Sequence, residues 1–155
     1  MKRLVTFVVM LFSYTAFAQN AASNVQLVNP PALAVPKGYS HAAIIDMGNC
    51  KMIIMAGQVA FDQSGNLVGK GDMAKQTEQV FRNIRSIVES AGRNMHHVVK
   101  LNYFVKDVSQ VQAIRNVRDT FIDTKTPPAS TLVEVSKLFR DDVLIEIEAT
   151  AIIPK

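Results

Sequence analysis

Two glutamates near the C-terminus are the side chains of this sequence best suited to acid–base chemistry. Glu146 and Glu148 stand at alternate positions in an Ile-Glu-Ile-Glu-Ala run. Alternation predicts a strand with both carboxylates on one face. A positioned carboxylate can take a proton from an attacking water and return one to a leaving group, which is general acid–base catalysis. Glu146 is therefore a candidate catalyst and Glu148 its neighbour; the alternative is a pair of solvent-facing glutamates.

Other groups that often perform catalysis lack the required arrangement. His41, His96 and His97 do not have the spacing of metal ligands. No Gly-x-Ser-x-Gly elbow marks a serine nucleophile. Cys50 is the single cysteine and stands after a Gly-Asn turn at the start of an apolar strand, so we interpret it as a structural thiol. We expect neither a metal nor a cofactor.

The N-terminus has the pattern of a signal peptide over residues 1–18. Lys2 and Arg3 precede a mostly apolar run at 4–14, and an Ala-x-Ala pattern ends at Ala18. The run is shorter than the roughly 20 residues that span a bilayer, although an uncleaved anchor helix is an alternative. We expect cleavage after residue 18 and export, to a periplasm or beyond.

The remaining chain is long enough for one domain with its own core. A lead-in at 19–38, rich in proline at its end, precedes a domain at 39–155, with order expected from Tyr39. Lys2 and Arg3 are two of the 17 basic residues, so residues 19–155 carry 15 basic and 13 acidic side chains, a net +2. That balance favours neither nucleic acid nor an anionic membrane as partner.

Apolar periodicity and turn signals predict an α+β sandwich with both helices on one face of the sheet. The uncovered face would remain apolar, so something should cover it. The predicted segments are strands at 42–45, 52–55, 98–105, 130–135 and 143–153, with helices at 72–91 and 110–122.

Several short motifs, in this order and spacing, resemble the Rid (YjgF/L-PSP) family of enamine/imine deaminases over about residues 28–154. They are Ala-Gly-Gln at 56–58, Gln-Thr-Glu-Gln-Val at 76–80, Pro-Ala-Ser-Thr at 128–131 and Ile-Glu-Ile-Glu-Ala at 145–149. The resemblance implies a chorismate-mutase-like α+β fold, a mixed sheet with two helices on one face. It also implies a homotrimer with pockets in the clefts between subunits.

The resemblance also implies a set of site residues. Tyr39, Gly57 and Glu146 match a pocket tyrosine, a pocket glycine and the catalytic glutamate of the family. Ser130 stands where the family has an arginine that grips the substrate carboxylate. A pocket asparagine falls on Arg115, which could restore the missing charge from the helix or could be an ordinary surface arginine.

Together these features predict an exported, cofactor-free, homotrimeric deaminase of small imines or enamines, or a related small-molecule hydrolase. The alternative is a non-catalytic trimer that binds a small metabolite. Some members of the family are labelled endoribonucleases, but this sequence lacks the basic stripe with interleaved aromatic residues that RNA binding favours.

Overall fold

The computed structural model describes residues 24–155, which form one six-stranded sheet and two α-helices. The predicted signal peptide and its cleavage site lie outside the described residues. Within the described part of the chain, no helix is long and apolar enough to cross a membrane. The elements are β1 (Val25–Val28), β2 (Ala42–Asp46), β3 (Cys50–Gln58), α1 (Met73–Ser90), β4 (Val98–Val105), α2 (Val111–Arg118), β5 (Ala129–Glu134) and β6 (Ile145–Pro154).

The sheet is mixed, with strand order β1-β2-β3-β6-β4-β5. Each neighbouring pair is antiparallel except β4 and β5, which run parallel. A parallel pair cannot be joined by a tight turn, and α2 supplies the crossover between these two strands. The last strand, β6, therefore lies at the centre of the sheet, between β3 and β4.

Helix α1 is the main cover of one sheet face. It begins after Asp72, whose Oδ1 accepts a hydrogen bond of 3.0 Å from the backbone N–H of Lys75. It ends before Gly92, which has the positive φ of 74° that terminates many helices. Phe81 and Ile84 are fully buried on its inner face. Helix α2 packs beside α1 and closes the same side of the core.

The other sheet face, which we call the open face, carries no helix. Strand pairing places Glu146 opposite Phe104, Glu148 opposite Asn102 and Ala43 opposite Ile54 on this side. Large apolar side chains remain exposed there, as the sequence led us to expect. The exposed fractions are 41% for Val25, 68% for Leu27, 46% for Ile54 and 41% for Val133.

Three predicted boundaries differ from the structure. Ordered structure begins before Tyr39. Strand β1 lies inside the segment assigned to the lead-in and pairs with β2. Helix α2 ends at Arg118, and the chain then turns so that Phe121 still packs on the core. Strand β6 starts at Ile145, since the backbone N–H of Leu144 donates to Gln76 Oε1 instead of to a neighbouring strand.

Candidate functional site

Gly57 and Glu146 meet where β3 and β6 lose regular pairing. The register between these strands shifts between Met55 and Gln58. A Cβ atom on Gly57 would overlap Oε1, Cδ and Cγ of Glu146. The backbone of Gly57 does not have a positive φ, so glycine is required here by space and not by conformation. The glutamate carboxyl thus lies directly against the backbone of β3.

The Glu146 carboxyl is half-buried at the base of the open face. Burial raises its pKa above the ordinary value, and the nearby charge of Glu148 raises it further. The Glu148 carboxylate in turn accepts a hydrogen bond of 3.3 Å from Asn102 Nδ2 on β4. A carboxyl group with a raised pKa is suited to exchanging protons near neutral pH.

Tyr39 lies beside this carboxyl at the entrance to β2. It follows Gly38, whose φ of +82° turns the chain, and 51% of the residue is exposed. Tyr39 and Gly57 line one small cavity, and Gly57 lies against the Glu146 side chain. Burial raises the pKa of the Tyr39 phenol, and the charge of Glu146 raises it further. Tyr39, Gly57 and Glu146 therefore come together from three separate segments of one chain.

An open cleft of about 850 Å³ extends over the sheet from Tyr39. This volume is within the range of small-molecule sites. Glu148, Asn102, Thr150 and Ser40 supply its polar groups, and Leu27, Ala43 and Ile54 are among its apolar walls. Glu146 lies next to the cleft, behind Gly57, and is not among the lining residues.

The two remaining predicted site residues lie elsewhere in the chain. Ser130 pairs with Leu101, and the side chains of that row face the helices. Arg115 is an exposed residue of α2. Strand β5 adjoins the segment that leads into α2, where the N–H of Val108 donates to Glu134 Oε2 at 2.8 Å. We call α2 and β5 together the α2–β5 edge; Arg115 and Ser130 lie on it, away from Glu146, and their roles in binding remain predictions.

Two polar residues in or near the cleft, Asn102 and His41, were not singled out as site residues from the sequence. Asn102 alternates with buried Leu101 and Tyr103 in β4, a pattern that could have placed it on the open face. His41 is 4% exposed and lies against Tyr39, and no pattern in the sequence distinguishes it from other histidines. Within residues 24–155, His, Cys, Asp and Glu form no group of three or more that could hold a metal.

Both the fold and the sequence define the class of protein. Residues 29–153 match the model of the family described as Endoribonuclease L-PSP, and this chain belongs to that family. It is 34% identical over 131 residues to the RutC family protein slr0709 of Synechocystis sp., covering 84% of this chain and 95% of that protein.

Relatives with an assigned activity and with solved structures also match. The 2-iminobutanoate/2-iminopropanoate deaminase of Salmonella typhimurium is 36% identical over 110 residues, covering 70% of this chain and 83% of the enzyme. The crystal structure of the YjgF gene product of E. coli superposes with a TM-score of 0.67 at 34% identity, covering 81% of this chain and 95% of that one. The predicted family and the mixed-sheet fold are thereby confirmed.

Proposed function

We propose that this protein is a cofactor-free hydrolase that deaminates small imines or enamines, with Glu146 as the catalytic acid and base. The observation that carries the proposal is the Glu146 carboxyl, half-buried against Gly57 beside Tyr39, with a raised pKa. The deaminase named among its relatives supports the same chemistry. Tyr39 and Gly57 form the wall that positions the reacting group.

The reaction requires only water and one proton carrier. The Glu146 carboxylate removes a proton from a water molecule as its oxygen bonds to the imine carbon, and the imine nitrogen gains a proton. The carbon–nitrogen bond of the resulting carbinolamine then breaks, and the nitrogen leaves as ammonia while a carbonyl forms. An enamine enters the same sequence after a proton is added to its carbon. The raised pKa makes the Glu146 carboxylate a stronger base in the first step and keeps a larger fraction of the group protonated for the second step.

The site is completed, in our proposal, by a neighbouring subunit of a homotrimer. Exposed Leu27, Ile54 and Val133 leave the open face in need of a cover. Arg115 and Ser130 lie on the α2–β5 edge, away from Glu146 of their own chain. A neighbour that docks this edge beside the cleft would bring both residues to the carboxyl, and Arg115 would supply a positive charge for an anionic substrate.

Light scattering on the purified protein tests the assembly. We expect the mass of three chains at micromolar concentration, and Ile54→Asp should reduce it by placing a charge in the interface. Val35→Asp is the matched control, because Val35 is 85% exposed and lies outside the sheet. A monomer mass for the parent protein contradicts the trimer.

Ammonia release from several small imines tests the chemistry. Glu146→Gln keeps the size of the side chain and removes its acid–base function, so turnover should fall by about 10²–10⁴-fold. Glu78→Gln is the matched control, because Glu78 is an exposed residue of α1 outside the cleft, and it should retain full activity. Equal loss in both variants would contradict the assignment to Glu146.

The alternative function is a non-catalytic trimer that binds a small metabolite in the 850 Å³ cleft. It is favoured by Ser130, because a serine hydroxyl cannot replace the two parallel hydrogen bonds of an arginine. No ammonia release from any imine, combined with saturable binding of a small ligand, would select this alternative.

Export to the periplasm or beyond also remains a proposal. It depends on residues 1–18 and their Ala-x-Ala ending at Ala18. The mass of the protein recovered outside the cytoplasm should correspond to a chain that begins at Gln19. Recovery of a chain that retains residues 1–18 would contradict cleavage.

A further inference from the structure

His41 is a buried polar residue directly behind Tyr39. The residue is 4% exposed, although histidine is usually found partly in contact with water. Its ring meets the ring of Tyr39 edge-on, with centroids 5.4 Å apart and an interplanar angle of 80°. Its backbone N–H donates to Asn29 Oδ1 at 2.9 Å, and its carbonyl accepts from the N–H of Ala56 at 3.0 Å. His41 therefore contacts both the segment that carries Tyr39 and the strand that carries Gly57.

Hydrogen bonding assigns the protons on the His41 ring. Nε2 lies 2.8 Å from the carbonyl oxygen of Ala34. A carbonyl can only accept, so Nε2 carries the hydrogen and donates it. In the neutral ring Nδ1 is then a bare acceptor, and this buried atom has no partner among the described residues. An unsatisfied buried acceptor is costly, so a donor should be found beside it.

A small cavity lies next to this ring. It has a volume of about 20 Å³, and its lining includes His41, Tyr39, Gly57, Gln58 and Asn83. One water molecule needs about 10–15 Å³ measured in this way, with two to four polar partners. The cavity therefore has the size and the polarity for a single water molecule that donates to Nδ1.

We infer that His41 is a positioning residue whose ring holds Tyr39 beside Glu146, with one buried water molecule bound to Nδ1. The Ala34 bond and the water fix the ring from its two nitrogens, and the ring then limits where Tyr39 can lie. The inference deepens the proposed function, since Tyr39 and Glu146 are the groups assigned to the reaction. The inference concerns the position of Tyr39, so it can be tested without measuring turnover.

Two substitutions separate the contacts of the ring. His41→Gln places an amide N–H near the position of Nε2, so it keeps the bond to Ala34 and the anchor. His41→Asn places its polar group near Nδ1 and loses the bond to Ala34. Val88→Ala is the control for lost core packing, because Val88 is fully buried at the end of α1 remote from Leu144 and Glu146.

The pKa of Glu146, followed by NMR of its carboxyl carbon in each variant, is the deciding measurement. When Tyr39 leaves its position the carboxyl gains access to water, so in His41→Asn its pKa should move down toward the ordinary value. His41→Gln should shift it less, and Val88→Ala should leave it unchanged. An unchanged Glu146 pKa in folded His41→Asn, or an equal shift in Val88→Ala, would overturn the positioning role.

Kinetics and crystallography complete the test. If the protein is a deaminase, His41→Asn should lower kcat by up to about 10²-fold, with less change in KM, because the reacting geometry is loosened. His41→Gln should recover part of that loss, and failure of the rescue counts against the inference. If Glu146→Gln does not affect turnover, the proposed function fails while the NMR result still decides the role of His41.

A high-resolution crystal structure should contain a water within hydrogen-bonding distance of His41 Nδ1. A cavity without water would overturn that part of the inference.

Discussion

The two faces of the sheet are built from alternate residues of the same strands, yet they differ in almost every property. On the side of the helices, Ile53, Leu101 and Ile147 are fully buried. On the open face, Ile54 is 46% exposed, and Glu146 and Glu148 interrupt the apolar surface. Alternate residues of each strand therefore pack in the core, while their neighbours stay accessible and, in the proposed function, serve association and chemistry.

The largest expected loss of stability comes from a substitution in the core. Phe81 is fully buried and stacks on Phe121, with ring centroids 5.2 Å apart. Phe81→Ala should therefore lower the free energy of unfolding by about 3–5 kcal/mol, measured by urea denaturation. Ile54→Ala removes a large apolar side chain from the opposite face. The loss of stability caused by Ile54→Ala should disappear on dilution to separate subunits, because the open face is then in contact with water.

An equal and concentration-independent loss in both variants would contradict the division between the two faces. It would mean that Ile54 supports the fold of the subunit itself. The measurement is sharpest when the mass of each sample is followed at every protein concentration, so that association and unfolding are separated.

Gly57 tests whether the close contact with Glu146 matters for the chemistry. Its backbone does not have a positive φ, and the three atoms nearest to an added Cβ all belong to the Glu146 side chain. Gly57→Ala should therefore displace the carboxyl and reduce ammonia release by about 10–100-fold, since small displacements of reacting groups are costly.

The loss in Gly57→Ala should not be accompanied by global unfolding. Circular dichroism of the variant should match the parent, and its denaturation midpoint should move little. The double variant Gly57→Ala with Glu146→Ala removes the conflict. It should restore any lost stability without restoring activity. Full activity in the single variant would show that Glu146 has room to work elsewhere.

Residue 130 tests the substrate preference at the α2–β5 edge. Ser130→Arg would provide a planar guanidinium for a substrate carboxylate, and activity on 2-imino acids should rise by roughly tenfold or more. Arg115→Ala should weaken binding of anionic ligands more than neutral ones. The combined variant Ser130→Arg with Arg115→Asn avoids repulsion between two arginines and should be the most active on 2-imino acids.

Steady-state kinetics on matched anionic and neutral imines decides this prediction. If the double variant assembles as a trimer but releases ammonia no faster than the parent, residue 130 does not limit the reaction. Equal weakening of both ligand classes in Arg115→Ala would remove the case for a substitute anchor.

Much of the fold follows from local patterns in the sequence. The apolar residues of α1 recur every three or four positions, and β6 alternates over residues 145–151, so both elements and their inward faces are predictable. The short strand β1 was assigned to a lead-in, because four mostly exposed residues between polar segments carry little signal. Its pairing with β2 depends on contacts made only in the folded chain.

The site was predictable only where a motif carried it. Gly57 and Glu146 are far apart in sequence, and their contact depends on the irregular pairing of β3 with β6. His41 was considered only as a metal ligand, since its burial and its contact with Tyr39 arise from the path of residues 29–41. In the proposed trimer, the relation of Arg115 and Ser130 to the cleft depends on a second subunit, so the sequence and fold of one chain do not give it.

The last prediction concerns the opposing effects of Glu146 on catalysis and on stability. Its expected effect is the smallest. The pKa of this carboxyl is raised in the fold above its ordinary value of 4.5. A raised pKa means that the folded state prefers the protonated group. Its stabilising contribution is therefore complete below pH 4.5 and is lost as the pH rises through the folded pKa. At neutral pH the ionised carboxylate should thus weaken the fold.

Glu146→Gln should consequently raise the melting temperature at pH 7 by roughly 2–4 °C, equivalent to about 1 kcal/mol or less because the group is only half-buried. The difference between variant and parent should shrink as the pH approaches 4. Glu78→Gln is the matched control: Glu78 forms an exposed ion pair with Arg82 on α1, so its loss should be neutral or slightly destabilising. A lower melting temperature for Glu146→Gln at pH 7 would mean that other contacts of the ionised carboxylate outweigh its burial. The opposite result would identify Glu146 as a residue retained at a cost to the fold, as expected of a group kept for its chemistry.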